Sequence, residues 1–381
     1  RAMSAPRWIV GIDLAPAAMR SRAPGTARLV EEQARALLKL DVPWRWAPVL
    51  SPLENPLAGE VAHLNPVTGR HAKPSLHATL EVGRLWRQAG CTLGFATAFF
   101  VPFSGPPVVA NYFDANFFEP VDAWHRRTRA PSHLWMRSLM WHSVQRAKTL
   151  FILSDYGRGK MASVFPRHAH KFIVTPCGIR TPGAPAPHPP AWASGLKRPF
   201  FLYVGSFSDN KNQRTLLDAW RLLQSRHADA PGLVLIGPAS RAYMDTVIAP
   251  RHRTLPRPQD VLLPGFTAEA ELNWAYWNAA GYVQPSFAEG FGMPVLEAMS
   301  CGLPTACSDS TSLPETAGDA ALLFDPRDVE SMARAVETIW KDAATRESLI
   351  HKGRSRAALF TWEKNANRVA ESILAHLRRL P

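Results

Sequence analysis

Short apolar runs alternate with stretches of helical periodicity along both halves of this chain, and that alternation points to parallel α/β sheets. Between the halves, TPGAPAPHPPAWASG (Thr181–Gly195) carries neither period, and its Pro and Ala content marks residues 181–199 as a linker. Strands are expected at Trp8–Ile12, Pro107–Ala110, Thr149–Leu153 and Phe172–Thr175 before the linker. After it they are expected at Phe200–Val204, Leu233–Ile236, Val261–Leu263, Gly281–Gln284 and Pro304–Cys307. Helical spacing covers Thr26–Leu40, Pro131–Lys148, Gln213–Gln224, Pro294–Ser300 and Trp362–Leu380, and no short-period repeat is visible. The economical architecture is two doubly wound, Rossmann-like α/β domains, residues 3–180 and 200–360, with a cleft between them. The closing helix, 361–381, is expected to pack back toward the first domain. Ligands of such sheets bind at the carboxyl ends of strands, beside helix amino termini.

The 381 residues suit two domains, and 46% hydrophobic with 20% charged residues is ordinary globular composition. Nothing approaches the ~20 unbroken apolar residues of a membrane span. The opening RAMSAPRWIV lacks the design of a secretory signal, and Arg1 and Ala2, which precede Met3, are set aside as a cloning remnant. Four scattered cysteines (Cys91, Cys177, Cys301, Cys307) read as buried thiols of a reducing compartment. Net charge is +13, and its placement is informative: residues 1–190 carry 23 Lys and Arg against 11 Asp and Glu, whereas residues 191–381 carry 21 against 20. The first half is therefore expected to meet something anionic, such as a membrane surface or a phospholipid-like acceptor. Nucleic acid fits poorly, because the basic residues are dispersed and form none of the usual recognition motifs.

The most informative segment is PSFAEGFGMPVLEAMS. After the strand that ends near Gln284, Gly290 and Gly292 permit a tight turn and close approach of a ligand to the backbone. Pro294 suits the first position of a helix, so the N–H groups of Gly292–Val295 and the helix dipole make an anion site that fits a diphosphate. Glu297 follows in the first turn, where an acidic residue commonly takes a ribose diol, and Glu289 precedes the turn, facing whatever hangs beyond the phosphates. A glycosidase-type acid and nucleophile pair would need the carboxylates roughly 5–9.5 Å apart. The eight-residue spacing does not exclude that, but the phosphate-suited turn argues against it. Upstream, YVGSFSDNKNQRTLLDAW repeats strand, loop and helix, and Lys211 at the end of the loop can set a point charge on a phosphate.

These residues resemble a known family. EGFGMPVLEAMSCGLPTACSDSTSLPETAGDAALLFDP resembles the signature of retaining GT-B glycosyltransferases of family 4, and VGSFSDNKN resembles the phosphate-binding loop of that family. PGFTAEAELNWAYWNAAGYVQPS and FTWEKNA are similar to its flanking segments, so the likeness runs over residues 200–370. The first half is similar in outline only, at GTARLVEEQARALLKL, VVANYFDANFFEP, LSDYGRGKM and TPCGIR. The resemblance implies retaining transfer from a nucleoside-diphosphate sugar, with no metal and no cofactor. Glu289 would contact sugar hydroxyls, Glu297 the ribose, and Lys211 with the Gly292–Val295 amides the diphosphate. The leaving phosphate would take the acceptor's proton in a front-face attack, with charge stabilisation as the main catalytic effect.

The implied donor site comprises Gly25, Gly205, Ser206, Lys211, Phe266, Glu289, Gly290, Phe291, Gly292, Met293, Pro294, Val295 and Glu297, with Glu289, Lys211 and Asp114 as catalytic residues. Two departures stand out. Ser206 lies where the family often has Arg, and Tyr112-Phe113-Asp114 where it commonly has His-Asp, so either Asp114 or Asn111 replaces the histidine or the donor is held differently. The Gly-Ser…Lys-Asn version of the loop resembles bacterial mannosyltransferases that use GDP-mannose. The expected protein is cytoplasmic, peripheral at the inner membrane face, and acts on a glycan or polyprenyl-diphosphate-linked acceptor in cell-surface polysaccharide synthesis. The alternatives are a UDP-sugar-dependent glucosyl- or N-acetylhexosaminyl-type transferase, or an inert glycan-binding relative.

Overall fold

A computed structural model of the chain describes residues 7–19, 24–113 and 131–380. Among these, two compact units form: one takes the residues up to Gly178 together with those from Thr361 on, and the other takes Ile179–Phe360. The fold class is α/β, with one parallel sheet flanked by helices in each unit.

In the first unit the strands are β1 (Trp8–Asp13), β2 (Trp44–Leu50), β3 (Val67–Thr68), β4 (Leu93–Ala96), β5 (Val108–Asn111), β6 (Thr149–Ile152) and β7 (Phe172–Val174). They pair in parallel in the order β3-β2-β1-β4-β5-β6-β7. Helices cover both faces of such a sheet, so its strands read as unbroken apolar runs such as WIVGID and TLFI. β2, β3 and β4 were not expected. Pro48 lies inside β2, where a missing amide normally rules out an interior strand. Pro48 pairs with Ile12 on one side, while β3 begins its pairing only at Val49, so β2 behaves as an edge along most of its length. In β4, Gly94 lies directly across from Gly11 of β1. A Cβ at either glycine would sit 2.2–2.3 Å from the indole of Trp86, which is fully buried. Paired glycines thus make the flat bed on which this ring lies.

Pro24 starts α1 (Pro24–Leu38), which buries Ala27, Val30, Ala34 and Leu37. The last helix, Trp362–Leu377, is capped by Thr361, whose hydroxyl accepts from Lys364 N, and it packs against α1 within the first unit. A buried amide chain locks the two together. Asn111 Nδ2 donates to Gln33 Oε1 (2.6 Å), Gln33 Nε2 to Asn365 Oδ1 (2.8 Å), and Asn365 Nδ2 to Pro176 O (2.8 Å). At Gly178, a Cβ would stand 2.1 Å from Trp362 N, so only glycine lets the chain pass there.

In the second unit the strands are β8 (Phe200–Val204), β9 (Gly232–Ile236), β10 (Val261–Gly265), β11 (Gly281–Gln284), β12 (Thr305–Ser308) and β13 (Ala321–Phe324). Their order, β10-β9-β8-β11-β12-β13, reverses between β8 and β11, the point where doubly wound sheets take their ligands. Phe201, Tyr203, Leu216, Trp220, Val336 and Ile339 centre its core. Each buried aliphatic or phenylalanine side chain there contributes roughly 1.5–3 kcal/mol. Residues 181–199, expected as a Pro-rich linker, lie along this unit: Trp277 Nε1 donates to Gly183 O (2.7 Å), and Trp192 meets Trp274 edge to face. All four cysteines are unpaired thiols, and Cys91 is only half-buried. Burial pushes Cys91, Cys301 and Cys307 up to about 12, so these thiols stay protonated.

Asn365→Leu should cost on the order of 2–3 kcal/mol, because it leaves the buried Gln33 amide and the Pro176 carbonyl unsatisfied. The expected readout is a lower urea midpoint with unchanged helical content.

Candidate active site

Two loops leave the reversal point, residues 205–212 after β8 and residues 285–292 after β11. Asn212 ties them together. It is fully buried in a left-handed backbone (φ 59°, ψ 34°), a conformation Asn tolerates better than most residues. Its amide donates to Pro285 O (3.0 Å) and Pro326 O (2.8 Å), while Thr215 Oγ1 donates to its Oδ1 (2.6 Å).

Lys211, one residue earlier, donates from Nζ to Glu289 Oε2 at 2.6 Å, and both side chains are largely shielded, at 21% and 10% exposure. The other oxygen of Glu289 accepts from Gln284 Nε2 (3.0 Å) and Ser286 Oγ (2.7 Å). Gln284 in turn accepts from the Tyr282 hydroxyl, and Gln213 Nε2 donates to the Tyr203 hydroxyl at 2.8 Å. Burial, with the nearby Glu289 carboxylate, pushes both phenols well above their ordinary value, and Tyr203 raises Tyr282 further. They therefore serve as neutral donors beneath the loops.

The turn after Glu289 forms the helix Met293–Ser300. Gly292 caps it at φ 94°, and a Cβ there would meet Leu313 Cδ2 at 2.6 Å. The expected anion cradle is narrower than the run Gly292–Val295. Pro294 has no N–H, and Val295 N–H donates back to Gly292 O (3.0 Å), which leaves the Gly292 and Met293 amides at the helix mouth. Glu297 was expected in the first turn, but it is the fifth helical residue. It is 5% exposed, with Tyr276 OH donating to its Oε2 at 3.0 Å. Phe291 is also turned inward: its ring meets Phe360 at 5.5 Å, so only its backbone faces the turn. Gly290 is half-buried beside it.

At the end of β8, Gly205 N donates to Ile236 O, and its carbonyl stands 2.0 Å from where a Cβ of Gly237 would be. Ser206 has an exposed side chain, and its carbonyl accepts from Gln213 Nε2 (2.9 Å). Phe266 follows the end of β10 and is 74% exposed, beyond Gly265 at φ 79°.

In the first unit, Gly25 falls within the first turn of α1 rather than in a loop, with open space where a Cβ would be. Asn111 cannot replace the family histidine, because its amide is buried and donates to Gln33 Oε1 and Thr97 O. Phe113 is buried against Phe99, ring centroids 5.1 Å apart. Asp114 lies outside the described residues.

Asn212, Gln213, Gln284 and Ser286 were absent from the expected site. Their one sequence signal is a polar residue closing an apolar strand (GYVQ) or following the loop lysine (KNQ).

Residues 187–356 match the family model described as Glycosyl transferases group 1. Over 275 residues the chain is 31% identical to O-antigen chain mannosyltransferase B of Escherichia coli, a match covering 70% of this chain and 69% of that protein. The chain belongs to the glycosyl transferases group 1 family. It is 29% identical over 172 residues to the serotype-specific mannosyltransferase WbdA of the same organism, covering 45% of this chain and 21% of that one. Among solved structures, sucrose-phosphate synthase from Thermosynechococcus elongatus superposes with TM-score 0.70 at 18% identity, covering 98% of this chain and 100% of that one. Anabaena HepE, solved with UDP and glucose, gives 0.68 at 15%, covering 97% and 100%. The shared architecture is the GT-B fold.

For a glycosyltransferase, the capacity left unspent matters most. An ammonium has three donors and a carboxylate about four acceptor positions. Glu289 uses three of its positions within the chain and Lys211 one of its donors, so each can still take a ligand.

Folded Tyr203 and Tyr282 keep protons that the unfolded chain releases near the ordinary value of 10.0. Their contribution to stability is therefore intact below pH 10 and lost as pH rises beyond it. Denaturation midpoints should fall above pH 10, and Tyr282→Phe should make that fall shallower.

Proposed function

We propose that this glycosyltransferase moves mannose from GDP-mannose, with retention of configuration, to a hydroxyl of a glycan or polyprenyl-diphosphate-linked acceptor in cell-surface polysaccharide synthesis. The observation that carries the proposal is Glu289, a shielded carboxylate with acceptor capacity to spare, held by Lys211 at the reversal point of the sheet. Mannose as the sugar and polysaccharide as the product rest on the likeness to the O-antigen chain mannosyltransferase.

In this reading Glu289 accepts from a sugar hydroxyl, and its charge favours the cationic anomeric centre of the transition state. Lys211 and the Gly292 and Met293 amides hold the diphosphate. Glu297, with Tyr276, takes the ribose diol. The anomeric C–O bond to the phosphate breaks as the acceptor oxygen forms the glycosidic bond on the same face. The acceptor's proton passes to a departing phosphate oxygen. Lys211 and the helix end, rather than a bound metal, supply the positive partners of the leaving group.

Among nucleoside diphosphates, GDP should raise the melting temperature most. No shift with GDP, UDP or ADP would overturn the assignment. Glu289→Ala should lower kcat by about 100-fold with folding intact. Lys211→Ala and Glu297→Ala should mainly weaken donor binding, by about 10-fold or more. Parental rates in all three would refute the site.

The membrane side of the proposal is supported by the basic first half and by the helix Pro131–Arg146, which exposes Leu134, Trp135 and Trp141 along with Arg137. No helix among the described residues is long and apolar enough to cross a membrane. Co-sedimentation with vesicles holding anionic phospholipid should exceed that with neutral vesicles and weaken with salt. Equal binding to both would remove this part.

A further inference from the structure

Glu289 is held by its backbone as well as by its carboxylate. Its N–H donates to Thr311 Oγ1 (3.0 Å), and its carbonyl accepts from Ser312 Oγ (2.9 Å). Two more hydroxyls from the same stretch grip the same loop, Ser308 Oγ on Ser286 O (2.6 Å) and Thr316 Oγ1 on Phe291 O. Ser308, Ser312 and Thr316 are buried, so none of these hydroxyls is idle on the surface.

Thr311 has φ 54°, in the left-handed region, where a β-branched residue is strongly disfavoured and glycine is at ease. Strain of this kind persists where the surroundings demand it, and it clusters at functional sites. The chain places at this turn a residue unsuited to its backbone but equipped with a hydroxyl, and that hydroxyl receives the amide of Glu289.

We infer that Thr311 is a positioning residue for transfer: its hydroxyl, with that of Ser312, clamps the peptide of Glu289 and so fixes where the carboxylate meets the donor sugar. This rests on the assignment of Glu289 to the sugar. A clamp acting through Glu289 affects turnover rather than the grip on the diphosphate, which belongs to Lys211 and the helix end. A small displacement of a positioned group can cost a large factor in rate.

The test uses the whole chain, the nucleotide sugar that the parent turns over, and the variants Thr311→Val, Thr311→Ser and Glu289→Gln, singly and combined. Thr311→Val should lower kcat about tenfold, leaving KM for the donor and thermal stabilisation by the nucleoside diphosphate within about twofold of the parent. Thr311→Ser, which keeps the hydroxyl, should recover to within about twofold. On the Glu289→Gln background Thr311→Val should cost nothing further, as residues acting through one another are non-additive. Amide hydrogen exchange at Glu289 should be protected in the parent and in Thr311→Ser, and faster in Thr311→Val. An unchanged kcat, a loss shared equally by Ser, losses that multiply with Glu289→Gln, or unchanged amide exchange would each overturn the inference. A parent inactive with every nucleotide sugar would refute the proposed function instead, and amide exchange at Glu289 would then decide the clamp alone.

Discussion

A carboxylate withdrawn from water has to be met by donors, because an uncompensated charge in that setting costs several kcal/mol. Glu289 imposes this demand on the carboxyl edge of the second sheet. Lys211 meets one oxygen, and Gln284 with Ser286 meets the other. Two of these are themselves held: Gln284 by the Tyr282 hydroxyl, and the loop of Lys211 by Asn212, whose amide reaches two further carbonyls. Tyr282 can do this because burial keeps it protonated. The loops after β8 and β11 are thereby held by the chain's own groups, the kind of fixed arrangement that makes electrostatic stabilisation effective.

The first unit spends its polar groups differently. Where the family resemblance leads one to expect a hydrogen-bonding histidine, Phe113 packs into an aromatic group with Phe99. Asn111, the nearest polar alternative, is committed to the amide chain that fastens the last helix to α1. A fully satisfied buried network of this kind specifies which helix packs where, since any other partner would strand its amides.

The sheets were largely legible because parallel strands, covered on both faces, write short continuous apolar runs, and the turns between them write glycine and proline. Legibility failed where another demand overrode the pattern. β2 contains Pro48, tolerated because β3 pairs only beyond it. β4 gives up a side chain at Gly94 to seat Trp86. β3 is two residues long, too short to show any period. The glycine-capped helix beginning at Met293 was readable for a local reason: its φ requirement, its proline and its free amides all lie within a few residues.

The order of residues alone dictates the alternation of strand and helix, the glycine turn before Pro294, and the presence of Lys211, Glu289 and Glu297 near the ends of strands. Each depends on neighbours a few positions apart. Tertiary structure decided how those groups are used. The Lys211–Glu289 pair closes across 78 positions, the Tyr276–Glu297 bond across 21, and the Thr311 contact to the amide of Glu289 across 22. It also decided that Val295 spends its amide within the helix and that Asn111 is unavailable. Hydrogen bonds are directional and few per group, so which partner wins is fixed only when the strands have set the loops side by side.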